Sequence, residues 1–234
     1  MNILPPQSGL EFVRYLLNHD TPHTNLVICQ NRKDFVDGLY GACSLRANDF
    51  EDHENVEEEM RALAITAHDS IESIAVSRHI KVTFTPTVSH LRAHLSVICK
   101  STFLSNFRAN VGSIPSSRLA VFGLISVHRG TSDFSAQGLM RSLSLLLETA
   151  QSTEQGVVLA EDLLVDVTRS SHQNDLREAI SNPWKEIIPL LSSRVLRKTL
   201  NVRTPATQDI TIEDVLQNWC QILPSAAITS HRLT

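Results

Sequence analysis

Short apolar runs of strand length alternate along this chain with longer amphipathic segments, and this alternation restricts the possible folds more than any other feature. The strand-like runs are residues 25–30, 79–86, 118–126 and 156–167, the last with room for part of another element. Helical periodicity marks residues 10–19, 32–45, 56–74, 87–104 and 135–154, and a capping-box spacing at Thr211 and Asp214 predicts a last helix. Strands that alternate with helices form right-handed βαβ units. The sequence therefore predicts an α/β protein with three layers, a mainly parallel sheet and helices on both faces.

The chain also predicts a single domain, because its 234 residues contain no internal repeat and no Gly/Ser-rich or Pro-rich linker. We expect this domain to cover residues 1–223 and to be followed by a tail over residues 224–234. The formal net charge of −4 gives no global basic field that would attract nucleic acid, although a local basic patch is compatible with it.

Cysteine usage and the amino-terminal residues bear on where the protein works. The four cysteines form no Cys-x-x-Cys pair, which favours a reduced, intracellular protein; they are Cys29, Cys43, Cys99 and Cys220. The first residues carry no basic stretch before an apolar run, so we expect no signal peptide. No apolar run reaches the roughly 18 residues that a membrane span needs, so we expect no membrane partner.

The motifs that bind nucleotides are missing from the sequence. A phosphate-binding loop needs Gly-x-x-x-x-Gly-Lys-Ser/Thr, and the chain contains no Gly-Lys pair. The dinucleotide pattern Gly-x-Gly-x-x-Gly is also absent. The backbone geometry of both sites requires these glycines. We therefore predict no cofactor and no nucleotide-binding residue.

Two residue pairs raise the question of catalysis. Ser126 and His128 follow the run at 118–126, but a nucleophile elbow would need Gly-x-Ser-x-Gly. Asp162 and Asp166 follow apolar residues, where paired carboxylates act as acid and base or hold a metal, or else cap the next helix. The cap is the favoured interpretation, and no catalytic residue is predicted.

Two further places in the sequence carry residue types that bind metals. His90 and His94 are four residues apart on a predicted helix, which is zinc-ligand spacing, but Leu91 stands where a metalloprotease carries its glutamate. Residues 49–59 are strongly acidic and could bind a basic partner or a metal, or they form a loop that leads into a helix, whose dipole favours acids in its first turn. Both features are interpreted as structural, and no metal is predicted.

Basic side chains give the candidate binding residues. The densest basic stretch contributes four of them: Arg194, Arg197, Lys198 and Arg203. Arg129 is the fifth, because it lies in the loop after the run at 118–126, and ligands of parallel sheets usually bind at the carboxyl ends of strands. Such residues would contact a phosphate backbone without reading the base sequence. The alternative interpretation is that the basic stretch is a solvated hairpin or loop.

The order of segments resembles the RecA-type core. The run "SRLAVFGLIS", then "HRGTSDFSAQGLMRSLSLLLETA", then "GVVLAEDL" is similar to the second half of such a core, and "TNLVICQNRKDFVDGL" is similar to its early strand and helix. The ending resembles recombinase paralogues, with "NPWKEIIPLL", a basic stretch and "DITIEDVLQNWCQIL". The likeness covers about residues 20–223 and departs from the family in two ways. The phosphate loop is missing, and residues 123–126 contain no Mg²⁺-associated acid.

The resemblance implies a RecA-like pseudo-ATPase that works by assembly. Shu-complex-type recombinase paralogues assist recombinase filaments on single-stranded DNA in the nucleus. Elongator RecA-like ring subunits bind tRNA, and their type would place the chain in the cytoplasm. We therefore expect a non-catalytic subunit of a DNA-repair complex for homologous recombination, with a paralogous RecA-like partner and single-stranded DNA. The tRNA-modification scaffold is the alternative, and a hydrolase that uses Ser126, His128 or the strand-end acids is a third hypothesis.

Overall fold

The computed structural model describes residues 1–18, 23–48, 71–103, 117–162, 164–165, 180–191, 209–217, 219 and 221–222. These residues form the helices α1 (Gly9–Leu17), α2 (Arg32–Asn48), α3 (Ile71–Ser77), α4 (Val88–Phe103), α5 (Leu124–His128), α6 (Ala136–Ser152) and α7 (Ile212–Gln217), with a 3-10 turn at Pro183–Lys185. The strands are β1 (Asn2–Ile3), β2 (His23–Ile28), β3 (Ile80–Phe84), β4 (Ser117–Phe122), β5 (Gln155–Ala160), β6 (Leu164–Val165), β7 (Ile180–Ser181), β8 (Ile187–Pro189), β9 (Asp209–Thr211) and β10 (Gln221–Ile222).

Six of these strands form one parallel sheet. Their order is β10–β1–β5–β4–β2–β3, and every neighbouring pair runs parallel. In the centre, Ala120 of β4 lies between Leu26 of β2 and Val158 of β5. Two small antiparallel pairs, β6–β7 and β8–β9, lie outside this sheet. The predicted α/β fold with a mainly parallel sheet is confirmed, and strands from residues 2–3 and 221–222 are neighbours in it.

Apolar side chains cover both faces of the sheet, as the alternation of strand residues requires. On the first face, Val27, Val121 and Val157 join a buried cluster with residues of α4, α5, α6 and α7. On the second face, the next residues along the strands join a second cluster with Phe12 of α1 and Phe35 of α2. Helices therefore lie on both sides of the sheet, which confirms the three predicted layers.

Capping side chains set the starts of several helices. Ser8 and Glu11 form a complete capping box at α1, where the Ser8 N–H donates to Glu11 (3.1 Å) and the Glu11 N–H donates to Ser8 (3.3 Å). The predicted box at Thr211 and Asp214 is also present, with Asp214 N–H donating to Thr211 Oγ1 (3.1 Å). Such reciprocal bonds satisfy the amide groups that a helix start leaves without partners.

The prediction of a single strand over residues 118–126 is wrong. β4 ends at Phe122, and Gly123 has a φ of 82°, in the left-handed region that glycine adopts without strain. The chain then turns into α5, so Leu124 and Ile125 are buried in a short helix rather than in a strand. Similarly, the run at 156–167 ends as β5 at Ala160.

Among the described residues, no helix is both long enough and apolar enough to cross a lipid bilayer. Several predictions fall outside these residues, namely the acidic stretch at 49–59, most of the helix at 56–74 and the tail at 224–234.

Candidate functional site

The carboxyl ends of the parallel strands meet at one edge of the sheet, where ligands of open α/β folds usually bind. After β2 the chain passes to α2 on the second face, whereas after the neighbouring strand β4 it passes to α5 and α6 on the first face. Backbone bonds continue beyond the strand ends, because Cys29 N–H donates to Phe122 O (2.8 Å) and Gly123 N–H donates to Ala160 O (3.0 Å). The loops after β1, β2, β4 and β5 therefore form a single edge, called the carboxyl edge below.

Glu161 lies at the centre of the carboxyl edge. It follows β5 directly and is completely buried. One carboxylate oxygen accepts the Ile125 N–H (2.8 Å), and the other accepts the Ser126 N–H (3.1 Å) and the Ser126 hydroxyl (2.5 Å). The residue before α5 is Gly123, which has no side chain to cap the helix. A carboxylate from the neighbouring strand therefore caps α5.

Burial raises the pKa of the Glu161 carboxyl to about 6. The bonds from the Ser126 hydroxyl and from the amides of Ile125 and Ser126, together with the Arg129 charge, oppose this rise. At neutral pH the carboxyl is therefore mostly ionised. Its negative charge occupies the start of α5, the kind of position where phosphate groups bind in other α/β proteins.

Arg129, one of the predicted nucleic-acid contacts, lies at the rim of this cluster. Its guanidinium donates twice to Glu186, from Nε (3.1 Å) and Nη2 (2.6 Å), and once to Ser126 Oγ (3.4 Å). The Arg129 and Glu186 side chains are 24% and 29% exposed. The guanidinium therefore ties the end of α5 to the segment before β8, and a phosphate contact would have to compete with Glu186.

The other four predicted contacts, Arg194, Arg197, Lys198 and Arg203, lie outside the described residues. In sequence they fall between β8 and β9, which pair with each other in antiparallel fashion. The stretch they occupy therefore connects two adjacent strands.

The loop between β1 and α1 joins a parallel strand to a helix, which is the setting of a phosphate-binding loop. Leu4 N–H donates to Leu159 O (2.9 Å), and Gln7 N–H donates to Glu161 O (3.0 Å). Ser8 N–H donates to Glu11, as described above, while Pro5 and Pro6 have no N–H. Every backbone N–H between residues 4 and 8 is thus used within the protein or missing, so this loop has no amide left to cradle a phosphate.

Cys29 also lies at the carboxyl edge, directly after β2. Burial raises the pKa of its thiol to about 12, and the nearby Glu161 adds to the rise while the Thr85 hydroxyl opposes it. Since the thiolate is the nucleophilic form of cysteine, this side chain is suited to packing and not to attack on a substrate.

Ser126 and His128 do not contact each other. His128 is fully buried; its Nδ1 lies 2.8 Å from Leu124 O and its Nε2 lies 3.0 Å from Ser142 Oγ. Because a carbonyl only accepts, Nδ1 carries the hydrogen and Nε2 accepts the Ser142 hydroxyl. Burial lowers the pKa of His128. This histidine therefore acts as a neutral structural link, and Ser126 has a carboxylate partner instead.

Arg92 of α4 completes the network that begins at His128. It donates to Ser142 Oγ (3.0 Å), to Asp133 Oδ2 (2.9 Å) and to Gly138 O (3.0 Å). These bonds fasten α4 and the start of α6 to the loop that carries Asp133. The network belongs to the scaffold on which the carboxyl edge is built.

The remaining predicted residues lie away from this cluster. His90 and His94 both lie on α4, where His90 contacts the capping residue Thr87 through Nδ1 (3.0 Å). Asp162 is exposed beside Glu161, and Asp166 lies outside the described residues. Within the described ranges, no three His, Cys, Asp or Glu side chains lie close enough together to hold a metal ion.

The role of Glu161 was not predicted from the sequence, where Asp162 and Asp166 were the candidate strand-end acids. The available signal was an acid placed directly after a strand that ends in four buried apolar residues. A residue at that position lies at the carboxyl edge of the sheet. The backbone amides that Glu161 binds, however, become neighbours only through the register between β4 and β5.

No protein-family model matches this chain, and no curated protein matches its sequence.

Proposed function

We propose that this protein is a non-catalytic RecA-like subunit of a nuclear DNA-repair complex, which binds a paralogous subunit and single-stranded DNA and assists a recombinase. The observation that carries the proposal is the closed carboxyl edge. The buried Glu161 carboxylate occupies the start of α5, and the amides between residues 4 and 8 are already used or missing. A triphosphate at these two places would meet a negative charge and would find the amides of residues 4–8, 125 and 126 used or missing.

A surface groove on α6 supports the assembly part of the proposal. It has a volume of about 520 Å³ and is lined by apolar side chains between polar ones, including Met140, Leu145, Leu190 and Leu191. Leu190 is 44% exposed and Met140 is 42% exposed. Contiguous exposed apolar side chains with a polar rim are typical of protein–protein contact surfaces. We assign this groove, called the α6 groove, to the partner subunit.

The predicted basic contacts lie close to the α6 groove in sequence. Leu191 is the last described residue before the stretch that contains Arg194, Arg197 and Lys198. A partner on the α6 groove would therefore contact the chain within a few residues, in sequence, of the segment that we propose for phosphate contacts. Such contacts add affinity that falls with rising salt and does not depend on base sequence.

Binding to single-stranded oligonucleotides at two salt concentrations, with and without the co-purified partner, tests this proposal. The variant Arg197→Glu/Lys198→Glu should weaken binding and reduce its salt dependence. The control Arg32→Glu/Lys33→Glu carries the same charge change at exposed positions on α2 and should have a much smaller effect. Equal binding by all three proteins would show that residues 197 and 198 are structural.

The alternative, a scaffold subunit of a tRNA-modification complex, predicts a different assembly. A native mass measurement on the complex from its natural source separates the two. A one-to-one heterodimer supports the repair subunit, whereas a hetero-hexameric ring that retains tRNA contradicts it.

A further inference from the structure

The amino ends of β2 and β3 carry a group of basic and ring-bearing side chains at the end of the sheet opposite Glu161. His23 begins β2, Arg78 and His79 precede β3, and Lys81 is its second residue. All four are exposed. With Asn25 they line a groove of about 480 Å³, called the basic groove below, whose other lining residues are Thr24 and Ile80.

The backbone holds this groove in a fixed shape. His79 N–H donates to Val76 O (2.9 Å), and the Ser77 hydroxyl donates to Ile74 O (2.8 Å), which closes the turn after α3. Thr24 N–H donates to His79 O (3.0 Å), so the turn is bonded directly to β2. The groove residues are therefore presented by paired strands and a hydrogen-bonded turn.

The charges and rings of the basic groove fit a nucleotide chain. Two lining side chains, Arg78 and Lys81, are cations, and no carboxylate lines this part of the described structure. The rings of His23 and His79 lie edge to face, with centroids 5.3 Å apart. Next to the groove, burial and then the Lys81 charge lower the pKa of His94 on α4. Cations for phosphates beside exposed rings for bases are the features by which proteins hold single strands.

We propose that the basic groove binds a short segment of single-stranded nucleic acid, with Arg78 and Lys81 at its phosphates and the rings of His23 and His79 against its bases. This inference rests on the proposed nucleic-acid function. It places a second contact surface at the amino ends of β2 and β3. An acidic peptide would use the two cations but would leave the rings unused, which is why a nucleotide chain is the better fit.

The test uses fluorescence anisotropy of the full-length protein with a labelled oligo-dT and with an abasic oligonucleotide of equal length and charge. For Arg78→Glu/Lys81→Glu we expect at least tenfold weaker binding, and a slope of log affinity against log salt that is shallower by about 1.4, which corresponds to two lost phosphate contacts. The exposed pair Arg32→Glu/Lys33→Glu is the matched control and should retain most of the affinity.

For His79→Ala we expect roughly fivefold or greater weakening on oligo-dT and little change on the abasic strand. Far-ultraviolet circular dichroism of each variant checks its fold.

The outcomes separate this inference from the proposed function. Unchanged binding by Arg78→Glu/Lys81→Glu, with binding lost in Arg197→Glu/Lys198→Glu, overturns the basic groove and leaves the function standing. Equal weakening of both oligonucleotides by His79→Ala, or displacement of oligo-dT by polyglutamate at matched charge, shows a general polyanion surface and also overturns the groove. No oligonucleotide binding by the natural protein, alone or with its partner, overturns both proposals. Binding through the groove without any effect on a recombinase supports the groove and contradicts the function.

Discussion

Gly138 illustrates how a single residue fixes the scaffold under the carboxyl edge. A Cβ at this position would lie 1.9 Å from the Asp133 carbonyl oxygen and 2.8 Å from its carbon, both of which are backbone atoms. Gly138 O and the Asp133 carboxylate both accept from Arg92, so moving either one also disturbs that network.

We expect Gly138→Ala to lower the free energy of unfolding by about 3 kcal/mol, because the clash forces the loop and the start of α6 apart. Urea denaturation followed by circular dichroism measures this change. Gly38→Ala is the control, since Gly38 lies in α2 and an added Cβ would have no atom within 4 Å other than its chain neighbours and the local backbone of its own helix. It should raise stability by up to about 1 kcal/mol. Equal stabilities of Gly138→Ala and the natural protein would contradict the described packing.

Glu161 should also give the protein a measurable dependence of stability on pH. Burial raises its pKa from 4.5 to about 6, so between these values the folded state holds a proton that the unfolded state has lost. The free energy of unfolding should therefore fall as pH rises through this window, by about 2 kcal/mol for this group, and level off above it.

The comparison with Glu161→Gln isolates this effect. His128 contributes in the opposite direction, because its pKa is lowered and its stabilising effect is lost as pH falls. That contribution is common to both proteins and cancels in the difference between them. Urea unfolding at a series of pH values should show the natural protein losing stability relative to Glu161→Gln as pH rises from about 4.5 to 6.5. A constant difference would mean that the carboxyl is solvated and not buried.

At the scale of elements, α5 is a five-residue helix that depends on a side chain from another strand. Glu161→Ala should leave the amides of Ile125 and Ser126 and the Ser126 hydroxyl without their acceptor, and so lower stability by about 2–4 kcal/mol. Amide hydrogen exchange at residues 125 and 126 should accelerate as well. Asn182→Ala, which removes a single bond to the Trp184 N–H (3.0 Å), should cost only about 1 kcal/mol. A smaller loss from Glu161→Ala than from Asn182→Ala would contradict the capping role.

The elements with a long regular pattern were predictable from the sequence, as was α7 through its capping box, whereas the two-residue strands were not. The helices that begin at Val88 and Ala136, and the strands β2, β3 and β5, follow from apolar periodicity and turn residues. β1 and β10 have two residues each, too few to show any period, so their places in the sheet come only from tertiary pairing. Residues 124–127 are apolar enough for either a strand or a helix, and Gly123 with Glu161 decides the outcome.

At the scale of the whole molecule, the candidate sites at the two ends of the parallel strands differ in charge. The carboxyl edge holds a buried carboxylate at its centre, whereas the amino ends of β2 and β3 present Arg78 and Lys81 in the basic groove. The composition gives only the net charge of the whole chain, −4, which is why neither Glu161 nor the basic groove could be found from the charge balance. Of the candidate site, the sequence placed Arg129 in a loop after the run at 118–126, whereas it lies at the end of α5, a helix that was not predicted. The hydrogen-bond partners of Glu161 could not be predicted, because they depend on the register between β4 and β5.

Thermal unfolding of the purified chain in the presence of ATP and Mg²⁺ tests the central claim, the closed carboxyl edge, most directly. A ligand that binds only the folded state raises the melting temperature by an amount that grows with its concentration. We predict that the melting temperature stays unchanged up to millimolar ATP–Mg²⁺, because the amides of residues 4–8 and the start of α5 are occupied by the protein itself. A concentration-dependent rise in the melting temperature, abolished by mutation at the carboxyl edge, would contradict the account.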